Sequence, residues 1–512
     1  MNGARIVSFV LNAHHPHTGC AERGTGARIR LCEVVRDSYL QIIRVLRTVA
    51  GENGRTGITL SVPPTLLALL SEDNFRQDFE HFMDNSVKNL TADLRYLAET
   101  GSREKLRTAE YWLKRYEQIA FLFSDIGGDI VSELSRLEGG GLELITTTAT
   151  NVCLPLLGNE KCMKAQIMAG ACAFGEHFAR EPRGIWISGA AHGCNKHREG
   201  HPADAKFPWK TVEDAVASAG LDYFITDANP DGNTSENGLD GTAFFTGNSG
   251  YAVPAEEYNG GYVMDPDYLD TGVKSIPGGV RYWHRTVDKA ATEGEKQYSP
   301  EKADAKAGQH ASDFLNKIAG IPSSPEGIFA TVVMGAELFG HLWYEGPDWI
   351  RQVYGKMSSF GISGETVRER MRASGLTKTI NLNVLLCVPD SGDDDPSCGY
   401  ASGIWKSVHE DENGYVALLR STELKKSEPI ERVLKQMGRE LLLTEGDAAV
   451  HEDCSRLSGN DALLPDMIHS GHFRRLMEIA AGNGISQTDT GFVENCEREY
   501  SAFRKLETSF WD

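Results

Sequence analysis

Seven short apolar runs, set apart by helical stretches, constrain the fold of this chain more than any other feature. They are Ala4–Leu11, Gly57–Val62, Leu142–Thr148, Gly184–Ser188, Tyr223–Ala228, Ile328–Met334 and Thr379–Cys387. Most are near-continuous in Val, Ile, Leu, Phe and Thr, as strands buried on both faces are. Helical runs such as Lys164–Phe178, Thr211–Gly220 and Pro300–Lys317 lie between them. Strands alternating with helices make βα units and a parallel sheet, most simply an incomplete seven-stranded β/α barrel.

Two stretches break the alternation. From Phe75 the residues Phe79, Phe82, Met83, Leu90, Leu94 and Leu97 recur at helical spacing, and a second helical run covers Leu106–Phe123. Residues 71–137 are therefore expected as a helical insertion between barrel segments 1–70 and 138–390. Beyond the acidic turn Asp393-Asp394-Asp395-Pro396 no strand pattern recurs. Pro429–Leu443, Ala462–Ala481 and Asp489–Leu506 predict a C-terminal helical domain over 391–512. The Gly/Asn/Ser-rich segment from Asn229 to about Tyr262 predicts a long loop, a lid or a surface excursion.

With a net charge of −20, the chain would be repelled by nucleic acid or an anionic membrane surface, and a neutral substrate such as a sugar polymer suits it better. No run approaches the ~18 apolar residues of a membrane helix. Met1–Gly19 lacks a basic segment followed by an apolar core, so no signal peptide is read there. The ten cysteines follow no framework of spacings, which fits reduced thiols and a cytoplasmic location.

Candidate chemistry gathers after the run Ile328–Met334, where a buried parallel strand hands over to a loop. In β/α folds that carboxyl end is where substrates bind. The stretch Ala336-Glu337-Leu338-Phe339-Gly340-His341-Leu342-Trp343-Tyr344-Glu345-Gly346-Pro347 sets a His, a Trp, a Tyr and two carboxylates within about ten residues, a sugar-site composition. Trp186, Trp283 and Trp343, at or near strand ends, offer flat faces for glucose rings, whereas Trp405 and Trp511 read as core. His192, Cys194, His197 and His201 are weak candidates for a borderline metal such as zinc, although their spacing matches no standard zinc loop. No cofactor is expected, and nothing in the sequence names a protein partner.

The strand-end stretch resembles the fourth signature of glycoside hydrolase family 57, above all the α-glucan branching enzymes, which reads D-A-E-L-F-G-H-W-W-F-E-G-P. Gly335 stands where the family carries its catalytic Asp. Arg183–His192 is similar to R-G-I-W-L-P-E-C-A-Y, with Gly189 at the Glu nucleophile. Leu142–Leu157 is similar to the family stretch E-L-I-T-T-T-A-T-H-x-x-L-P-L-L, with Asn151 for its His. Tyr223–Asn229 resembles Y-F-x-x-D-x-H, keeping Asp227 and ending in Asn229. Of the first motif, H-A-H-L-P-Y, the chain keeps Ala13, His14 and Pro16 and has Asn12 for the leading His. The resemblance implies a seven-stranded β/α barrel with a helical insertion. It also implies α-1,4-glucan as ligand, with His14, Asp227, Glu337 and His341 joining the three tryptophans in the cleft.

A retaining glucan transferase needs two carboxyl groups ~5–5.5 Å apart, a nucleophile and an acid/base. Glycine supplies neither lone pair, proton nor charge. The expectation is a branching-enzyme homologue that is inactive or strongly impaired and binds or regulates glucan. The alternatives are an active branching enzyme or glucanase using recruited groups such as Asp227 or Glu337, a metal-dependent carbohydrate enzyme, and a purely structural protein.

Overall fold

The computed structural model describes residues 4–14, 26–52, 54–100, 103–188, 209–226, 243–246, 262–270, 281, 283, 297–321, 328–374, 379–381, 402–421, 427–456, 468–482 and 484–512. Nine strands form one parallel sheet: β1 (Arg5–Asn12), β2 (Ile58–Val62), β3 (Leu142–Thr147), β4 (Gly184–Ile187), β5 (Tyr223–Thr226), β6 (Ala243–Thr246), β7 (Ile328–Gly335), β8 (Ile362–Gly364) and β9 (Thr379–Asn381). Their order is β6-β5-β4-β3-β2-β1-β7-β9, with β8 beside the first half of β1. Neither β6 nor β9 pairs onward among the described residues, so the sheet is a curled, open half-barrel. Each of the seven anticipated runs holds a strand, the last over Thr379–Asn381 among the described residues. β6 and β8 are additional, and β6 places a strand inside the segment expected as an unstructured loop.

Alternation along β1 sorts its side chains into two environments. Val7, Phe9 and Leu11 join the large cluster under the surrounding helices, while Ile6 and Val10 join a small inner cluster with Ile145, Trp186, Ile225 and Val333. The inner face also carries polar groups. Glu143 accepts hydrogen bonds from Tyr223 Oη (2.6 Å) and Thr59 Oγ1 (3.1 Å) and from the backbone N–H of Arg368 (3.1 Å). By the same alternation Gly335 follows Val333 on the inner face, beside Asn12 of β1.

Phe75–Thr100 and Arg103–Asp125 form an antiparallel helix pair whose Phe75, Phe79, Trp112 and Phe123 are continuous with the core around β1 and β2. Helix Glu160–Phe178 lies against β3 closely enough that a Cβ on Gly170 would stand 2.2 Å from the Thr147 carbonyl. Its other side meets the C-terminal helices Glu428–Arg456, Ile468–Ala481 and Gln487–Glu499, together with Ser402–Arg420, which the sequence pattern did not foretell. No helix among the described residues is long and apolar enough to cross a membrane.

Candidate functional site

The carboxyl ends of β1, β3, β4 and β7 carry one connected set of polar side chains. Past β7, Glu337 turns back across β1, and its Oε1 accepts from the His14 backbone N–H (2.8 Å) and from Tyr39 Oη (2.5 Å). Burial pushes the Glu337 carboxyl up from its ordinary range, against the pull of those two donors. Burial likewise drives the Tyr39 hydroxyl well upward, reinforced by the neighbouring carboxylate, so it remains a donor. Tyr39 closes a buried π-helical turn, Val35–Tyr39, a bulge type that often accompanies functional sites.

From His14 the network continues to the other strands. Asn151 Nδ2 lies 2.9 Å from His14 Nδ1, Ser188 Oγ donates to Asn151 Oδ1 at 2.7 Å, and Trp186 Nε1 donates to Ser188 Oγ at 2.9 Å. An indole N–H can only donate, and this fixes the direction of the chain. Ser188 must then pass its proton to Asn151 Oδ1, so the Asn151 amide nitrogen faces His14 Nδ1. The imidazole accepts there and carries its hydrogen on Nε2, on an exposed residue. Asn151 holds this position with φ +55°, a left-handed conformation that Asn tolerates better than most residues.

A second cluster lies behind the first. His341 Nδ1 is 3.5 Å from Asp37 Oδ2, and Asp37 also meets Arg36 (2.6 Å) and Arg281 (4.0 Å). Burial alone would raise the Asp37 carboxyl, but the Arg36 charge, hydrogen bonds and Arg281 outweigh it and hold it well below the usual range. The loop of Gly340 presses on the same turn. Gly340 has φ +105°, and a Cβ there would meet the Asp37 carbonyl oxygen at 1.8 Å, so only glycine fits. Gly335 differs: its φ of −63° and ψ of 135° are ordinary extended backbone, a conformation that does not call for glycine.

Of the expected binding residues, His14 and Glu337 come together directly, and Trp186 reaches them through Ser188 and Asn151. Two of the three tryptophans, Trp186 and Trp343, lack the open stacking face expected of them. Trp186 and Trp343 are 0 % and 1 % exposed. Trp343 is packed by Phe339, Tyr268 and Trp349, with ring centroids 5.5–6.1 Å away, and presents no open face. Trp283 is half-buried, with Lys105 Nζ 4.7 Å from its ring centroid. Gly189, Asp227 and the candidate ligands His192, Cys194, His197 and His201 lie outside the described residues. Tyr39, Asp37 and Ser188 were not singled out from sequence. The available signal was the run Arg36-Asp37-Ser38-Tyr39, four polar or hydroxyl residues in succession between Val34-Val35 and Leu40.

Residues 87–264 match the family model described as glycosyl hydrolase family 57. The chain is 26% identical to the 1,4-alpha-glucan branching enzyme of Thermococcus kodakarensis, over 98% of this chain and 77% of that protein. It is 22% identical to a probable 1,4-alpha-glucan branching enzyme of Mycobacterium tuberculosis, over 71% of this chain and 70% of the relative. Among solved structures, the Thermococcus branching enzyme superposes with a TM-score of 0.79 at 22% identity, covering 99% of this chain and 96% of that one. The α-amylase AmyC of Thermotoga maritima gives 0.75 at 19% identity, covering 99% of both chains. The fold is that of the half-barrel proteins it superposes on, and a segment of the chain matches glycosyl hydrolase family 57. Along nearly its whole length the chain is similar to a 1,4-α-glucan branching enzyme.

Proposed function

We propose that this protein binds α-1,4-glucan at the carboxyl edge of its half-barrel without performing the branching reaction. The observation that carries the reading is Gly335. It lies at the inner end of β7, beside Asn12 and two residues before Glu337, in backbone that does not require glycine. The position that resembles the family's acid/base thus offers no carboxylate of its own, while Glu337, His14, Asn151 and Ser188 stay linked beside it. Gly189, at the nucleophile position by the same resemblance, removes the other half of the pair. Loss of both groups leaves binding and fixed dipoles.

Glu337 does not replace the missing acid. Its Oε1 is engaged by His14 and Tyr39, the geometry of a group that positions its neighbours. His14, which takes the Asn151 amide at Nδ1 and stands exposed, suits a sugar hydroxyl at Nε2. Affinity electrophoresis through glycogen-containing gels tests the reading. Migration is expected to be retarded relative to a glycogen-free gel, and the retardation to shrink in His14→Ala. Equal mobility in both gels would remove the binding role.

A further inference from the structure

Three C-terminal helices converge on a group of side chains that neither the sheet nor the glucan reading uses. Glu440 comes from helix Glu428–Arg456, His469 and His472 from one face of Ile468–Ala481, and Cys496 from Gln487–Glu499. Glu440 Oε2 lies 2.6 Å from His469 Nδ1 and 3.5 Å from His472 Nδ1, and the three ligating atoms lie within 4.8 Å of one another. The free thiol of Cys496 is buried on the third helix and acts electrostatically on His472.

We propose that Glu440, His469, His472 and Cys496 form a structural zinc site that staples these three helices together. Two imidazoles, a carboxylate and a thiolate are the donors zinc prefers, and two negative ligands neutralise the dication. Tetrahedral zinc with bonds of about 2.0–2.3 Å sets its ligand atoms about 3.3–3.8 Å apart. The atoms of the carboxylate and the two rings, 2.6 Å to at most 4.8 Å apart, bracket that spacing.

The surroundings fit as well. Gln436 Nε2 donates to Glu440 Oε1 at 2.7 Å and is itself fixed through Arg439, which donates to Gln436 Oε1 at 2.7 Å. One carboxylate oxygen is thereby occupied, and the other is aimed at both imidazoles, as outer-sphere partners of metal ligands do. His469 packs on Tyr500 and His472 on Phe492, with ring centroids 4.2 and 5.6 Å apart, which limits their rotation. The His472 side chain keeps 20% of its surface exposed and gives an ion an entry path. A second group, Cys162, Glu412 and Glu445, lacks imidazole and is buried throughout, so it serves as a control site.

The test uses the full chain stripped of metal by a chelator and titrated with zinc against a chromophoric competitor, then with cobalt(II) under visible absorption. One tight equivalent is expected, with a thiolate-to-cobalt charge-transfer band that Cys496→Ser abolishes. His472→Gln should weaken zinc binding by roughly 100-fold or more, and Gln436→Leu by about 10–100-fold. Circular dichroism confirms that the variants fold, and the cobalt spectrum of the unmodified chain depends on no variant. Absence of a tight equivalent would overturn the site. So would binding that His472→Gln and Cys496→Ser leave unchanged, which would place the ion elsewhere.

Discussion

Trp186 sets the direction of three hydrogen bonds because its indole can only give a proton away. Removing its acceptor by Ser188→Ala would leave a fully buried N–H unpaired and free the Asn151 amide to turn. Such a group costs about 1–3 kcal/mol, so urea unfolding should show a loss of that order with an unchanged slope. Gly340 is a second residue whose identity is dictated by its surroundings. Gly340→Ala combines a left-handed φ with direct overlap on the Asp37 carbonyl, and a destabilisation of about 3 kcal/mol or more is expected by the same measurement. Glu337→Ala strips the acceptor from both Tyr39 and the His14 N–H and should cost about 1–3 kcal/mol. None of these partnerships could be read from the sequence. Tyr39 and Glu337 lie 298 positions apart, and the tyrosine reaches the carboxylate only from its place in a π-helical turn. The sequence did mark Asn151, yet its positive φ and its role as a bridge to His14 follow from the fold. Trp343 shows the reverse error. Its place at a strand end pointed to a ligand, whereas its burial depends on Tyr268 and Trp349 from other segments.

At the level of elements, the strands were legible where burial on both faces forces a continuous apolar run, as in β1 and β7. β8 was not, because Ile362-Ser363-Gly364 has no pattern and is held by pairing with the first three residues of β1. The contact between helix Glu160–Phe178 and the C-terminal helices was equally hidden. It contains Gln166, whose Nε2 donates to Glu445 Oε2 at 2.6 Å in a buried setting. Burial pushes the Glu445 carboxyl up to about 8, against the hydrogen bonds from Gln166 and Cys162. The sign of the pH dependence follows. The folded form holds this proton more tightly than the unfolded chain does, so the contribution is complete below about pH 4.5 and is lost as pH rises towards 8. Thermal unfolding should therefore show a midpoint that falls between pH 5 and pH 8. Glu445→Gln should flatten that fall, and an identical slope in the variant would refute the assignment.

For the whole molecule, a half-barrel similar to a 1,4-α-glucan branching enzyme holds its inner polar frame in place. At the two positions whose family counterparts are carboxylates by resemblance stand Gly189 and Gly335. This reading makes one demand on the cleft: its chemistry was removed and its shape was not. The direct measurement is an amylose assay that follows iodine absorbance, reducing ends and new branch points, on the unmodified protein and on Gly189→Glu/Gly335→Asp. Silence in the unmodified chain with branching recovered in the double variant is the expected result. Turnover of amylose by the unmodified chain would contradict the proposal, because the reaction would then run without either carboxylate.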